Sequence, residues 1–294
     1  MANEVGNTEL SATKEEIIAE VAQRILIDQS KWMGTVRDVS NRAVKGSSSI
    51  SFPKFSQQFT VENRASATAG NNQKLAFAKD TMNLDIRAHI QWLIDSDDEI
   101  ESTLDVQREY IQAATLEHAQ DLDVRMAAVA EAAGITTTTA GDITQDVVLE
   151  MQQVLLQNKA SMERLYMQVS PKQYAKLLKI DPFTRFDARG ASDRPLSTGV
   201  LGDIYGVKIV MNTTLGADQY FMYDSEGLAV GMQRAPQFAE DDRPEFGAGS
   251  KLQVLTQKYG LKALQVAVPG AFQADGTTAL GAAESAFIVK DANA

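Results

Sequence analysis

The densest group of carboxylates in the sequence lies between a predicted strand and a predicted helix. It consists of Asp95, Asp97, Asp98 and Glu99. Clustered carboxylates could bind Ca²⁺, but a calcium loop needs glycine at its sixth position and glutamate at its twelfth. Those positions hold Ile100 and Val106. Ser96 to Glu99 matches a helix capping box instead. We therefore expect a helix N-terminus here, not a metal site.

Other patterns that carry chemistry are weak. The sequence has no cysteine, which excludes thiolate metal sites, and its two histidines, His89 and His118, lack ligand-like spacing. Three glycines lie within Gly199–Gly206, but no Gly-Lys-Ser/Thr follows and the next predicted element is a strand, which favours a turn. No Gly-x-Ser-x-Gly elbow occurs. The sequence predicts no cofactor, no metal ion and no catalytic residue.

Three lysines, Lys172, Lys176 and Lys179, lie on one edge of a short predicted helix. They are candidates for a basic edge that faces DNA, although such an edge is usually only a solvated surface. The formal net charge of −11 argues against a dedicated nucleic-acid-binding protein, because such proteins carry a basic face.

The elements before the acidic group predict an extended β-hairpin. Ile50–Val61 is aromatic and β-prone, and Pro53 favours an edge or a bulge. Met82–Asp95 is the predicted return strand, with apolar residues at every second position from Leu84 to Ile94. The span between the two strands is too long for a tight turn. We therefore expect a hairpin, Ile50–Ile94, that projects from the body of the protein.

Such a hairpin would have little core of its own, so its aromatic side chains would gain about 25 cal/mol per Å² of apolar area by packing on another copy of the chain. The candidates for contact between subunits are Phe52, Pro53, Phe55, Phe59, Arg64 and Trp92.

Two helices are predicted around this hairpin. The long one begins at the acidic capping box, carries an apolar stripe and ends at Gly134, a predicted C′ glycine. The stripe consists of Ile100, Leu104, Ile111, His118, Leu122, Met126 and Val129. This helix would span on the order of 50 Å, as a strut. A shorter helix begins at the Thr13–Glu16 capping box and ends near Ser30. It is either an ordinary packed helix or an arm that lies on a neighbouring subunit.

A change of texture at Thr136–Thr139 marks a predicted domain boundary. A compact α/β region follows, with a helix capped by Asp142 and a short helix opened by Ser170-Pro171. Its predicted strands are Arg164–Val169, Gly206–Met211, Tyr220–Tyr223 and Leu228–Met232. Beyond them we expect an acidic loop over Pro236–Gly249 and strand segments that break at Tyr259-Gly260.

Several motifs carry a family likeness through their order along the chain. They are Ile50–Phe55 (ISFPKF), Leu84–Ser102 (LDIRAHIQWLIDSDDEIES), Leu165–Leu178 (LYMQVSPKQYAKLL), Leu201–Leu215 (LGDIYGVKIVMNTTL) and Gln257–Leu261 (QKYGL). From Thr13 to about Val268 the chain resembles the major capsid proteins of tailed bacteriophages with the HK97-like fold.

The resemblance implies an α+β fold in five parts. These are an N-terminal arm (1–46), an extended hairpin or E-loop (47–95), the spine helix of a peripheral domain (96–135), an axial α/β domain (136–248) and a return to the peripheral domain (249–294). It implies a structural protein, not an enzyme, that assembles with itself into hexamers and pentamers of an icosahedral head.

The implied partners are further copies of the chain, a portal protein, a decoration protein and, by proximity, packaged double-stranded DNA. Because the hairpin begins near residue 47, no room exists for a long scaffolding region before it, so we expect a separate scaffolding protein. The resemblance implies location in the virion after assembly in the host cytoplasm. The sequence shows neither a signal peptide nor an apolar run long enough for a membrane helix, so we expect synthesis in a cytoplasm. The alternatives are an encapsulin-type compartment shell and a soluble enzyme.

Overall fold

The computed structural model describes residues 18–24, 26, 29–55, 61, 63, 70, 72, 77–94, 106–139, 141–180, 202–246, 250–265, 271–280 and 284–291. Both predicted capping boxes, the acidic group, Phe59, Arg64 and residues 199–201 of the three-glycine segment lie outside these residues.

Four helices lie within the described residues: α1 (18–24), α2 (Val106–Ala133), α3 (Gln145–Gln157) and α4 (Pro171–Leu177). The strands are β1 (Arg37–Asp38), β2 (Ser49–Phe55), β3 (Phe77–Asn83), β4 (Ile86–Ile94), β5 (Ile135–Thr136), β6 (Leu165–Val169), β7 (Asp203–Ile204), β8 (Val207–Met211), β9 (Tyr220–Asp224), β10 (Leu228–Asp242), β11 (Lys251–Ala263) and β12 (Ile288–Lys290). No helix among these residues is long and apolar enough to cross a membrane.

The strands form three sheets. A four-stranded sheet has the order β1-β10-β11-β4, a six-stranded sheet has the order β5-β12-β9-β6-β8-β7, and β2 pairs only with β3. β12, from the predicted last part of the chain, lies in the six-stranded sheet beside β9. β10 and β11 pair in antiparallel register along the four-stranded sheet. Strands from different predicted parts therefore pair within the same sheet. The boundaries of the five parts stay a prediction.

The helix α2 is confirmed as a long element of 28 described residues, about 42 Å at ~1.5 Å per residue. Its predicted stripe faces the core at Ile111, His118, Leu122 and Met126. The helix ends before Gly134 as predicted, but not through a left-handed glycine. A Cβ at Gly134 would lie 2.8 Å from the Ala130 carbonyl oxygen and 3.2 Å from the Lys290 side chain, so close packing requires glycine there.

Helix caps were predicted correctly in one of two described cases. Ser170 caps α4, and its hydroxyl accepts a hydrogen bond from the Gln173 backbone N–H at 3.4 Å. The prediction that Asp142 caps α3 is wrong, because the cap is Thr144, whose hydroxyl accepts from the Val147 N–H. Asp142 forms an ion pair with Lys176 instead.

Two predicted breaks in the strands are wrong. The first half of the expected loop over Pro236–Gly249 is strand, because β10 continues to Asp242, and Pro236 lies at a register shift between Arg234 and Gln237. Such irregularities are where a sheet tolerates proline. β11 runs unbroken through Gly260. A Cβ there would lie 2.1 Å from the Asn83 carbonyl oxygen, so this glycine permits a close backbone approach.

Candidate assembly surface

The predicted hairpin exists, but its return strand was assigned wrongly. β2 pairs with β3, in a register from Ser49 with Asn83 to Phe55 with Phe77. The alternating strand that was expected to return, β4, pairs with β11 in the four-stranded sheet. Alternation correctly predicted that β4 is half-buried, with one face partly buried and the other exposed, but it carries no information about which strand lies alongside.

One face of the β2–β3 hairpin stem packs on the body of the chain. Ile50, Phe52 and Met82 are buried in a cluster with Leu84 and Ala229. Polar contacts add to it, because Asp80 accepts a hydrogen bond from the Gln265 N–H at 2.9 Å and lies 3.4 Å from the Lys262 ammonium. The opposite face exposes Ser51, Pro53, Lys79 and Thr81. The stem is therefore fixed to its own chain on one side and open on the other.

Two of the predicted contact aromatics have partners within the chain. Phe52 is 7% exposed, and the Arg42 guanidinium lies 5.0 Å from its ring centre. Trp92 donates a hydrogen bond to Gln253 at 2.9 Å and stacks on Tyr110. The premise that these rings lack a core of their own is wrong for both residues. Pro53 lies on the exposed face of the stem, the Phe55 and Phe59 side chains and Arg64 lie outside the described residues, and contact between subunits stays a prediction for the whole set.

The four-stranded sheet has one covered face and one open face. α2 covers the first face, where Ile111 and Ala114 pack against Leu255 and Phe238. The open face is the opposite face of this sheet, in the part that the β2–β3 stem does not cover. It is defined by the exposed residues of β4 and by the residues of β11 and β10 directly across from them. These are Arg87, His89, Gln91, Leu93, Leu252, Val254, Thr256, Lys258, Arg234, Gln237, Ala239 and Asp241. Within the described residues no helix lies on this face.

A cleft of about 850 Å³ lies on this open face beside the Lys45–Ser48 turn. Its lining includes Lys45, Arg87, His89, Arg234 and Lys258, and no carboxylate among the residues that the structure describes. Sequence analysis missed this group because the cations come from four separate segments, which only the strand register brings together. An adjoining cleft of about 490 Å³ contains Asp85 at its lining.

The predicted basic edge of α4 is largely neutralised. The Lys172 ammonium lies 2.7 Å from an Asp218 carboxylate oxygen, and Lys176 pairs with Asp142. These hydrogen bonds raise the pKa of Lys172 and lower the pKa values of Asp218 and Asp142. Lys179 is exposed. This pairing weakens the prediction that the edge binds DNA, which no observation tests directly.

The two histidines lie on opposite sides of the four-stranded sheet. His118 is 1% exposed beneath it, with Nε2 3.3 Å from the Leu255 carbonyl oxygen, and burial lowers its pKa. His89 is exposed on the open face and lies 3.2 Å from the Gln91 amide oxygen. Within the described part of the chain, no three His, Asp or Glu side chains are grouped closely enough to hold a metal ion.

No protein-family model matches the sequence, and no curated protein matches it significantly. Solved structures match it closely in fold. A structure of Mycobacterium phage Che8 has a TM-score of 0.72 and 15% identity, covering 90% of this chain and 91% of that chain. The mature capsid of bacteriophage PhiM1 has a TM-score of 0.61 and 14% identity, covering 89% and 86%. A virus-like particle from Pyrococcus furiosus has a TM-score of 0.59 and 10% identity, covering 94% and 98%. The chain has the HK97-like capsid fold that the sequence predicted.

Proposed function

We propose that this chain is the major capsid protein of a tailed bacteriophage, which assembles with itself into the hexamers and pentamers of an icosahedral head around double-stranded DNA. The observation that carries the proposal is the fold match to phage structures over about nine tenths of both chains. Agreement over that length leaves little of the chain for a separate catalytic domain. The role is structural, and the residues that matter are those on surfaces, not in a pocket with reactive groups.

The hairpin stem supports this proposal physically. A two-stranded ribbon is marginally stable alone, so its attachment to the body through Ile50, Phe52 and Met82 fixes the position of the stem. An element held in this way can reach a neighbouring copy without losing its own position. We propose that the hairpin is the E-loop and that α2 is the spine helix of the peripheral domain. The remaining parts of the proposed division are the 1–46 arm, the 136–248 axial domain and the 249–294 return.

The proposal includes a separate scaffolding protein, a portal protein, a decoration protein and location in the virion after assembly in the host cytoplasm. The portal protein, the decoration protein and the location are supported by the resemblance to tailed-phage capsid proteins.

Negative-stain microscopy of the purified protein, alone and co-expressed with the neighbouring genes, tests the proposal. We expect capsomers or closed shells of uniform diameter. A stable monomer at high concentration, with or without those genes, would contradict it.

A compartment shell is the second candidate, favoured by the match to the Pyrococcus furiosus virus-like particle. Neighbouring genes separate the two functions, because a phage head requires a portal and a terminase whereas a compartment requires a cargo protein. The contents of particles purified from the natural source give an independent answer: double-stranded DNA supports the phage head, and a packaged protein supports the compartment.

A further inference from the structure

The open face contains three cations in one row across three strands. Lys258 of β11 lies directly beside Arg87 of β4 and, on its other side, beside Arg234 of β10. We call these three residues the basic row. Side chains directly opposite one another in a sheet have Cβ atoms about 5 Å apart, and like charges in such positions repel. The basic row therefore does not stabilise the isolated subunit.

Asp85 lines the adjoining cleft together with Arg87 and Lys258, but it forms no ion pair with either of them. Arg87, Arg234 and Lys258 form no ion pair with a described carboxylate, and Lys45 adds a fourth cation from the facing turn. The chain as a whole carries a formal charge of −11, so four cations around one cleft are opposite in sign to most of the surface. A concave site of one charge sign attracts and orients partners of the other sign.

The same sheet carries carboxylates at its other end. Asp241, Asp242 and Glu245 lie where β10 turns toward β11, and we call them the acidic corner. The Asp241 and Glu245 side chains are 67% and 52% exposed, and Arg243 is shared between the two. Lys251 lies opposite Asp242 and 3.3 Å from a Glu240 carboxylate oxygen, so the carboxylates at this end still outnumber the cations. Between Lys258 and Lys251 the strand rises about 23 Å at ~3.3 Å per residue. One copy therefore cannot bring its own acidic corner into its own cleft.

We propose that the cleft at the basic row binds the acidic corner of a second copy of this chain. A contact of this kind is heterologous, because each copy offers its corner to one neighbour and its cleft to another, and it closes into a ring when the rotation allows. Charge complementarity would also offset the mutual repulsion of strongly acidic subunits and fix their register. This inference rests on the proposed self-assembly and specifies where one of its contacts lies.

Charge reversal tests the contact. The double variant Arg87→Glu/Lys258→Glu is expected to reduce the yield of assembled particles at least about tenfold, because it sets like charges against each other across the contact. The variant Asp241→Lys/Asp242→Lys should do the same. The chain that carries all four changes should recover most of the yield, since the pairing is then reversed in sign. Lys159→Glu/Lys208→Glu is the matched control, with the same change in net charge at two exposed lysines elsewhere in the chain, and should assemble normally.

A second measurement separates this contact from a general folding defect. Arg87→Gln removes one cation from the row, so we expect the isolated subunit to melt at an equal or higher temperature while its assembly weakens. A lower melting temperature together with weaker assembly would contradict the proposal.

Failure of the cleft proposal can be distinguished from failure of the proposed self-assembly. If the unmodified chain forms no particles under any condition, the assembly proposal itself fails. If it assembles and the Arg87→Glu/Lys258→Glu variant assembles equally well, only the cleft proposal is overturned. If the Arg87→Glu/Lys258→Glu variant assembles normally but loses binding to double-stranded DNA, the cleft proposal is also overturned, and the cleft is then a nucleic-acid contact.

Discussion

The two larger sheets share a helix but differ in what covers them. In the six-stranded sheet, β9 is buried on both faces: Tyr220 and Met222 pack in one cluster, and Phe221 and Tyr223 pack in another with residues of α2. The four-stranded sheet has α2 on one face and its open face on the other. The side chains of a strand that is buried on both faces contribute only to the stability of the fold. The side chains on the open face are available for contact with another molecule. The comparison therefore separates residues whose loss should unfold the chain from residues whose loss should affect only association.

The largest expected effect is a core substitution in the six-stranded sheet. Phe221→Ala should lower the free energy of unfolding by about 3 to 5 kcal/mol, because it leaves a cavity between β9 and Trp32. On the open face, Leu93 is 40% exposed, so Leu93→Ala should change stability by less than about 0.5 kcal/mol. Urea unfolding of both variants checks this. Similar losses for the two would show that the open face is covered.

Gly260→Ala should show where the open face stops. Its Cβ would lie 2.1 Å from the Asn83 carbonyl oxygen, in backbone that cannot move aside like a flexible side chain. We expect a loss of about 3 kcal/mol in the free energy of unfolding, at the upper end of the usual cost of overpacking. Gly34→Ala is the matched control, because no atom lies within 4 Å of a Cβ built there. Unchanged stability in Gly260→Ala would mean that β11 does not approach the end of β3 at Asn83 this closely.

A smaller effect is expected at the N-terminus of α3, which packs on the six-stranded sheet. Thr144→Ala removes the side-chain cap and should cost about 1 kcal/mol. Asp142→Ala should cost clearly less, since Asp142 lies outside the helix and pairs with Lys176. Thermal unfolding of the two variants distinguishes them. A larger loss in Asp142→Ala would restore the original capping prediction.

The smallest expected effect is on pH dependence at the segment that leads from α1 to β1. Asp123 of α2 is 2% exposed, and burial raises its pKa, while hydrogen bonds from Ser30 and from the Lys31 backbone N–H partly oppose that shift. The folded state therefore holds this proton more tightly than the unfolded state does. Its contribution to stability should be full below the ordinary pKa of an aspartate and should fall as pH rises through the raised value.

Urea unfolding of the unmodified chain and of Asp123→Asn, at matched pH values above and below 4, isolates this contribution. The difference in unfolding free energy between the two proteins should change with pH in the direction given. A difference that is independent of pH would show that the Asp123 carboxyl titrates normally.

The fold could be predicted from the sequence where the determining signals are local. Alternation from Ile86 to Ile94 predicted β4, the Ser170-Pro171 pair predicted α4, and the apolar stripe predicted the buried face of α2. Pro236 and Gly260 were misread as breaks, because a residue that weakens an isolated strand is tolerated where the register shifts or where another backbone approaches.

The candidate surface could not be predicted in the same way. Arg87, Lys258 and Arg234 become neighbours only through strand pairing between separate segments of the chain, and local sequence patterns do not reveal which strands pair. For the same reason the buried state of Phe52 was missed, since its partners come from β3 and β10.

The position of α2 has a consequence for cooperativity. Near Ile111 and Ala114 it packs against the four-stranded sheet, and near Met126 and Ala130 it packs against the six-stranded sheet. Because one uninterrupted helix contributes to both cores, neither sheet can lose its packing without exposing part of the helix that stabilises the other. The two sheets should therefore unfold in a single transition and exchange their slowest amide hydrogens at a common rate.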